Sequence, residues 1–71
     1  MQTGIYEHYK GSRYKVIDTA RHSETEELLV LYRPMYGEEN LWVRPFTMFF
    51  EEVEIDGILV ERFKYIGDEN E

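Results

Sequence analysis

Turn-forming residues interrupt this chain at short, regular intervals, and that spacing limits its 71 residues to short elements. The breaks lie at Gly4, "KGS" (10–12), "SETE" (23–26), "PMYGEEN" (34–40) and "DG" (56–57), which are rich in residues that favour turns. The segments between them have strand lengths: 5–9, 14–22, 28–33, 41–44, 52–55 and 59–66. Because Val, Ile, Tyr and Phe favour strands, the sequence predicts an all-β chain.

Two segments depart from simple alternation. In "RYKVIDTARH" (13–22) polar and apolar residues alternate until Ile17 and Asp18 invert the order, which predicts a β-bulge or a strong bend there. In "LLVLYR" (28–33) both faces of the strand are apolar. That pattern indicates a central strand covered on both sides, or an outward face covered by another chain.

One segment has a helical period. Phe46, Phe49 and Phe50 stand at positions i, i+3 and i+4, so a helical turn would place all three rings on one side, and Pro45 suits the first helical position. Five or six short strands with one helical turn near 45–51 predict a small SH3-like antiparallel barrel, plugged at one end by that turn. An α+β fold with a two-turn helix is the alternative.

Length and composition predict a single domain. A chain this short forms one core, which its 6 Tyr, 4 Phe and 1 Trp can fill, and the absence of Cys excludes disulfides and thiolate metal sites. We predict a flexible N-terminus at 1–3, one β-barrel domain over 4–66 and a disordered acidic tail at 67–71. Without a signal peptide or an apolar stretch of about 18 residues, the chain is expected to be cytoplasmic, with no membrane partner.

The cluster "HSETEE" (22–27) offers an imidazole and several carboxylates, which are acid–base groups. It contains H-x-E, but the zinc-deaminase signature also needs P-C-x-x-C, and no spacing supports a metal site from His8, His22 and a glutamate. We predict no metal and no cofactor, and a hairpin loop at 23–26 that sets His22 opposite Glu27. The alternative is a small acid–base or metal-assisted hydrolase that uses His22 and Glu24.

The segment "LWVRP" (41–45) is the better candidate for function. On a strand, Trp42 and Arg44 share one face; outside the core they would form an aromatic–guanidinium pair suited to recognition, whereas inside it Trp42 would be core filler. The six Tyr are too many for this core to bury with every hydroxyl satisfied, and Tyr, Trp and Arg are enriched at recognition surfaces. We therefore predict a non-enzymatic binding module for a protein segment or small ligand. Its expected site, around one end of the barrel, comprises Tyr9, His22, Glu24, Tyr36, Trp42 and Arg44.

Charge disfavours nucleic acid as a partner, because the formal net charge is −7 and phosphate contacts dominate that affinity. The acids are concentrated after residue 22, however, and the first hairpin carries Lys10, Arg13, Lys15 and Arg21 among its aromatic residues. Nucleic-acid binding through this hairpin is therefore kept as a further alternative. The doubly apolar segment 28–33 likewise leaves a homodimer open.

Several motifs occur together and in order: G-x-Y-x-H-Y-K-G-x-x-Y-x-V from Gly4, "HSET" at 22–25, "YG" at 36–37, "LWVRPFTMF" at 41–49 and "RF" at 62–63. In this pattern the chain resembles the short bacterial family known as domain of unknown function 1653, over residues 4–66. The resemblance implies a compact β-rich domain that usually stands alone. It implies no catalytic residue.

Overall fold

Residues 1–68 are described by a computed structural model, and they form seven strands and one short helix. The elements are β1 (Gly4–His8), β2 (Arg13–Arg21), β3 (Leu28–Pro34), β4 (Trp42–Pro45), α1 (Phe46–Phe49), β5 (Glu52–Ile55), β6 (Ile58–Glu61) and β7 (Phe63–Gly67). The prediction of an all-β chain with a helical turn is confirmed. The strands continue through Gly67, and residues 69–71 of the predicted tail lie outside the described part.

The strands form two antiparallel sheets. The first has the order β4-β3-β2-β1-β7, and the second consists of β5 and β6. The predicted barrel is therefore not closed, because β4 and β7 lie at opposite edges of the first sheet. The chain passes from β4 directly into α1 at Pro45, whose nitrogen carries no hydrogen for a further sheet bond.

Arg62 divides the predicted strand 59–66 into β6 and β7. Its backbone N–H donates to the carbonyl of Glu51 at 3.1 Å, and its own carbonyl accepts the N–H of Tyr9 at 3.0 Å. Its guanidinium also forms an ion pair with the Glu51 carboxylate. These contacts come from distant parts of the chain, and they tie Arg62 to the start of β5 and to the β1–β2 turn.

The predicted irregularity in β2 is a bulge at Ile17. Val16 pairs with Tyr32 and Asp18 pairs with Leu31, so Ile17 is the extra residue of its strand. An extra residue shifts the alternation by one position. This accounts for the inversion that the sequence shows at this point.

The predicted helical turn is present as α1, and its three Phe rings pack at the core of an open sheet instead of plugging a barrel. Phe49 is fully buried and its ring stacks on Phe63, with the centroids 4.1 Å apart and the planes 3° from parallel. The ring of Phe50 lies 4.8 Å from Phe46 and 5.0 Å from Phe49. Pro45 precedes the first helical residue instead of occupying that position.

The core lies on one face of the first sheet, which we call the inner face. Its buried members are Tyr6, Val16, Val30, Tyr32, Phe49 and Phe63. Val30 pairs with Arg44, and Tyr32 pairs with Trp42, so both β4 side chains belong to the inner face. On the opposite face Leu29 and Leu31 are only half-buried within the described residues.

Candidate functional site: an aromatic cleft

Four aromatic residues line one cavity where the loop 35–41 leaves the first sheet. Tyr14 pairs with Pro34 across β2 and β3, and Tyr32 pairs with Trp42 across β3 and β4, which brings these side chains to one end of the inner face. Tyr36 joins them from the loop. The rings border a cavity of about 360 Å³, which we call the aromatic cleft and which the segment Gly37 to Asn40 completes.

The tyrosines on one side of the cleft hold each other in place. The ring of Tyr14 lies 5.6 Å from Tyr32 and 6.0 Å from Tyr36 in edge-on contacts, and the hydroxyls of Tyr14 and Tyr36 are 3.2 Å apart. Burial, followed by the hydrogen bond and charge of Tyr36, raises the pKa of Tyr14 to about 12. Its hydroxyl is therefore neutral throughout the ordinary pH range.

Trp42 borders the other side of the cleft and is 55% exposed. Among the described residues its indole makes no ring contact, although Tyr32 directly opposite is buried. Neither sequence interpretation of Trp42 is right: it faces inward, but it lies beyond the part of the core that Phe49 covers. The indole is thus held at the cleft with one side open to solvent.

Arg44 occupies the neighbouring position on the inner face. Its guanidinium lies over the Phe63 ring at 5.5 Å, and its Nε donates to the Tyr32 hydroxyl at 3.4 Å. Because an aromatic face attracts a cation, these contacts direct Arg44 to the core. It holds the Tyr32 hydroxyl through this hydrogen bond and is not among the residues that line the cleft.

Both charged residues that line the cleft are acidic. Glu38 accepts a hydrogen bond from the Asn40 side chain at 3.3 Å, and the carbonyl of Glu39 lies 3.5 Å from the donating guanidinium of Arg33. Gly37 and Glu39 have φ angles of 65° and 54°, the left-handed region in which a non-glycine residue is uncommon. The loop therefore presents a defined acidic rim beside the rings.

The β2–β3 turn is the hairpin that the sequence predicted. The N–H of His22 donates to the Glu27 carbonyl at 2.9 Å, and the N–H of Glu26 donates back to His22 at 2.8 Å. His22 Nδ1 accepts the backbone N–H groups of Glu24 and Thr25, at 3.1 and 3.3 Å. The Nδ1 lone pair of His22 therefore serves to close the turn.

His8 has a similar role in the β1–β2 turn. Its Nδ1 accepts the N–H of Lys10 at 3.2 Å, and its ring packs edge-on against Phe63 at 4.9 Å. Burial lowers the pKa of His8, and the nearby charges of Arg44, Arg62 and Lys10 lower it further. With Tyr9, His8 lines a second cavity, of about 470 Å³, beside the β5–β6 hairpin.

The family model described as "Protein of unknown function (DUF1653)" matches residues 4–65. The chain belongs to this family. It is also similar to the crystal structure of a DUF1653 protein from Bordetella bronchiseptica, with a TM-score of 0.87, 31% sequence identity, and coverage of 96% of this chain and 90% of that chain. No curated protein matches the chain. In the described part of this DUF1653 chain, no helix has the length and hydrophobicity to cross a membrane.

The six residues predicted to bind do not all meet. Tyr36 and Trp42 share the aromatic cleft and Arg44 adjoins it, whereas Tyr9 lies at the second cavity. The expected gathering at one end is wrong for His22 and Glu24, because β3 runs from their turn to the loop 35–41 and separates the two ends by about 20 Å. The sequence alone does not assign Tyr14 and Tyr32 to the site. If the loop 35–41 is taken to join two antiparallel strands, Tyr32 pairs with Trp42, and that pairing would have indicated them.

The alternative functions gain little from the structure. Within residues 1–68 no three His, Asp or Glu side chains come together in a way that could hold a metal ion, so the metal-assisted hydrolase has no ligand set there. The nucleic-acid alternative depends on the basic side chains of the first hairpin, and two of these have partners within the protein. Arg13 forms an ion pair with Glu7 at 3.3 Å. Arg21 is bonded to the Glu26 carbonyl at 3.0 Å.

Proposed function

We propose that this protein is a non-enzymatic binding module that holds a segment of another protein in the aromatic cleft. The observation that carries the proposal is Trp42, 55% exposed and directed to a cavity that three tyrosines share. Leaving so much apolar surface in water forfeits burial energy. Trp and Tyr in such positions are the residues that most often contribute large binding energies.

The cleft is already arranged before a ligand arrives. The contacts of Tyr14 with Tyr32 and Tyr36 fix three of the four rings. A ligand therefore need not restrict these side chains when it binds, and that ordering is one of the main costs of association. The sequence predicts a small SH3-like antiparallel barrel of five or six strands, and an SH3-like fold, in an open rather than a closed form, is part of this proposal.

The position of the cleft favours a protein segment as the ligand. Trp42 belongs to β4, which is an edge strand of the first sheet, so one side of its backbone has no strand neighbour among the described residues. An extended chain can add to such an edge through main-chain hydrogen bonds. A segment lying along β4 would pass directly over the cleft, which would receive one of its side chains.

Two neighbouring exposed residues provide a matched test. Trp42 and Val43 are 55% and 54% exposed and point to opposite faces of β4. Peptides are selected from a displayed random library against the wild-type protein, and the affinity of the best is measured by calorimetry with Trp42→Ala and Val43→Ala. We expect Trp42→Ala to weaken binding by at least about 30-fold, corresponding to 2 kcal/mol or more, and Val43→Ala to change it less than about threefold.

Both variants should unfold within a few degrees of the wild type, because exposed substitutions change stability little. If Trp42→Ala keeps the wild-type affinity while folded, the cleft is not the binding site. If both variants lose affinity equally, the ligand binds the edge of β4 without using the rings. Either result contradicts the proposal.

A further inference from the structure

The chemistry of the aromatic cleft favours one kind of ligand group. The faces of aromatic rings carry partial negative charge, and the charged residues that line the cleft, Glu38 and Glu39, are both acidic. We propose that the cleft binds an alkylated ammonium group, carried on the incoming segment as a methylated lysine. This inference rests on the proposed function and specifies its ligand.

Electrostatics favour a cation over an anion in the cleft. Two arginines lie near the cleft: the guanidinium of Arg44 is directed to Phe63 and Tyr32, and that of Arg33 donates to the backbone carbonyl of Glu39. An anion in the cleft would lie beside aromatic rings and two glutamates. The formal charge of −7 adds a long-range attraction for cations.

The hydrogen-bonding capacity of the cleft distinguishes between cations. An unmodified lysine or an arginine brings several N–H donors, and each needs an acceptor once it leaves water. Glu38 already accepts a bond from Asn40, and Tyr14 and Tyr36 bond to each other; the rim carboxylates keep lone pairs for a donor, whereas the ring faces offer it none. A methylated ammonium has few or no donors, and its methyl groups pack on rings that also attract its charge.

Arg44 provides an internal example of this interaction. On the same face of the sheet, its guanidinium rests over the Phe63 ring at 5.5 Å from the centroid. That cation also has a hydrogen bond to a hydroxyl, from Nε to Tyr32. The exposed indole of Trp42 offers a comparable ring face, and Trp is the best of the aromatic side chains for binding a cation.

The single Trp of the chain makes the test direct, because its fluorescence reports on the cleft alone. The protein is titrated with choline and, separately, with 3,3-dimethyl-1-butanol, which has the same shape and no charge. We expect choline to bind at least about fivefold more tightly, the factor that corresponds to a cation–π contribution of roughly 1 kcal/mol. Equal binding of the two compounds would show that the cleft does not recognise the positive charge and is an apolar site.

Charge variants separate the acidic rim from the general charge of the protein. The double variant Glu38→Gln with Glu39→Gln should weaken choline binding severalfold and leave the neutral compound unaffected. The matched control is Glu52→Gln with Glu54→Gln on β5, which removes the same charge from exposed residues outside the cleft. If the two double variants weaken choline equally, the rim has no specific role and the inference fails.

The final comparison concerns the source of the ammonium group. A peptide with one trimethyl-lysine is compared with the same peptide bearing unmodified lysine, and with free choline. We expect the trimethylated peptide to bind most tightly, since its backbone also contacts β4. If free choline binds as tightly as the peptide, the ammonium group does not come from a protein segment. If none of the cations binds, the inference is wrong. The proposed function is tested separately, by the peptides selected without regard to charge.

Discussion

Acid should loosen the β1–β2 turn through His8. Its Nδ1 accepts the Lys10 N–H, and a protonated imidazole has no lone pair to accept it. Folding also lowers the pKa of His8 from its ordinary value of 6.5, through burial and the charges of Arg44, Arg62 and Lys10. Below pH 6.5 the unfolded chain therefore binds more protons at this site than the folded one, and stability falls as the pH falls toward the folded-state pKa.

The size of the effect follows from the hydrogen bond. A bond of this kind contributes about 0.5–1.5 kcal/mol; because His8 is partly exposed, we expect the lower half of that range. Glu7 and Glu61 line the same cavity as His8, and their carboxylates favour the protonated ring, which also limits the loss. One proton can change stability by no more than about 1.4 kcal/mol per pH unit.

The assay is urea unfolding followed by far-ultraviolet circular dichroism at pH 7.5, 6.5 and 5.5, at constant ionic strength. The variant His8→Asn keeps an acceptor that can bond the N–H two residues on and does not titrate. We expect the wild type to lose about 0.5–1 kcal/mol more than His8→Asn between pH 7.5 and 5.5. His22→Asn, measured in the same way, isolates the contribution of the second turn. If the stability of the wild type and that of His8→Asn depend on pH equally, the reasoning is refuted.

Three further predictions concern the core, the chain ends and the cleft. Phe49→Ala should lose about 3–5 kcal/mol in urea unfolding, because Phe49 is fully buried, whereas Met48→Ala, at an exposed neighbour, should change stability by less than about 0.5 kcal/mol. Gly4→Ala should lose at least about 1 kcal/mol in the same assay, since its φ is +131° and an added Cβ would lie 2.8 Å from the Gly67 carbonyl oxygen. In an alkaline titration followed at 295 nm, Tyr14→Phe should remove a component that ionises near pH 12; its persistence would exclude Tyr14 as the source.

Local pattern was sufficient for the features that neighbouring residues determine. The bulge at Ile17 followed from an inverted alternation, and the His22 hairpin from the length of its loop. The helical turn followed from three Phe at helical spacing. In each of these, residues close in sequence make the contacts that define the structure.

Features that depend on distant contacts were missed or wrong. The break at Arg62 results from its bonds to Glu51 and Tyr9, and neither partner is visible in the local pattern. The open arrangement of the sheets likewise depends on where β5 and β6 pack after α1. Trp42 was assigned either to the core or to the outer surface because alternation identifies a face of a strand, and it does not tell how far the core extends along that face.

The candidate site shows the same division. Tyr36 and Trp42 could be selected by residue type, since exposed aromatic residues often mark recognition surfaces. Their grouping with Tyr14 and Tyr32 required the register of three strands. His22 and Glu24 were included on chemical grounds, and the same register places them at the far end of β3.

The pairing of β1 with β7 affects how quickly this protein folds. Within the first sheet β1, β2, β3 and β4 each pair with their neighbours along the chain, and the joining of β7 to β1 brings together Tyr6 and Tyr65, nearly the whole described length apart. Closing that loop loses chain entropy before its contacts contribute. The docking of β7, with Phe63 entering the core, should therefore be the slow step, and substitutions in β7 should reveal it in the refolding rate.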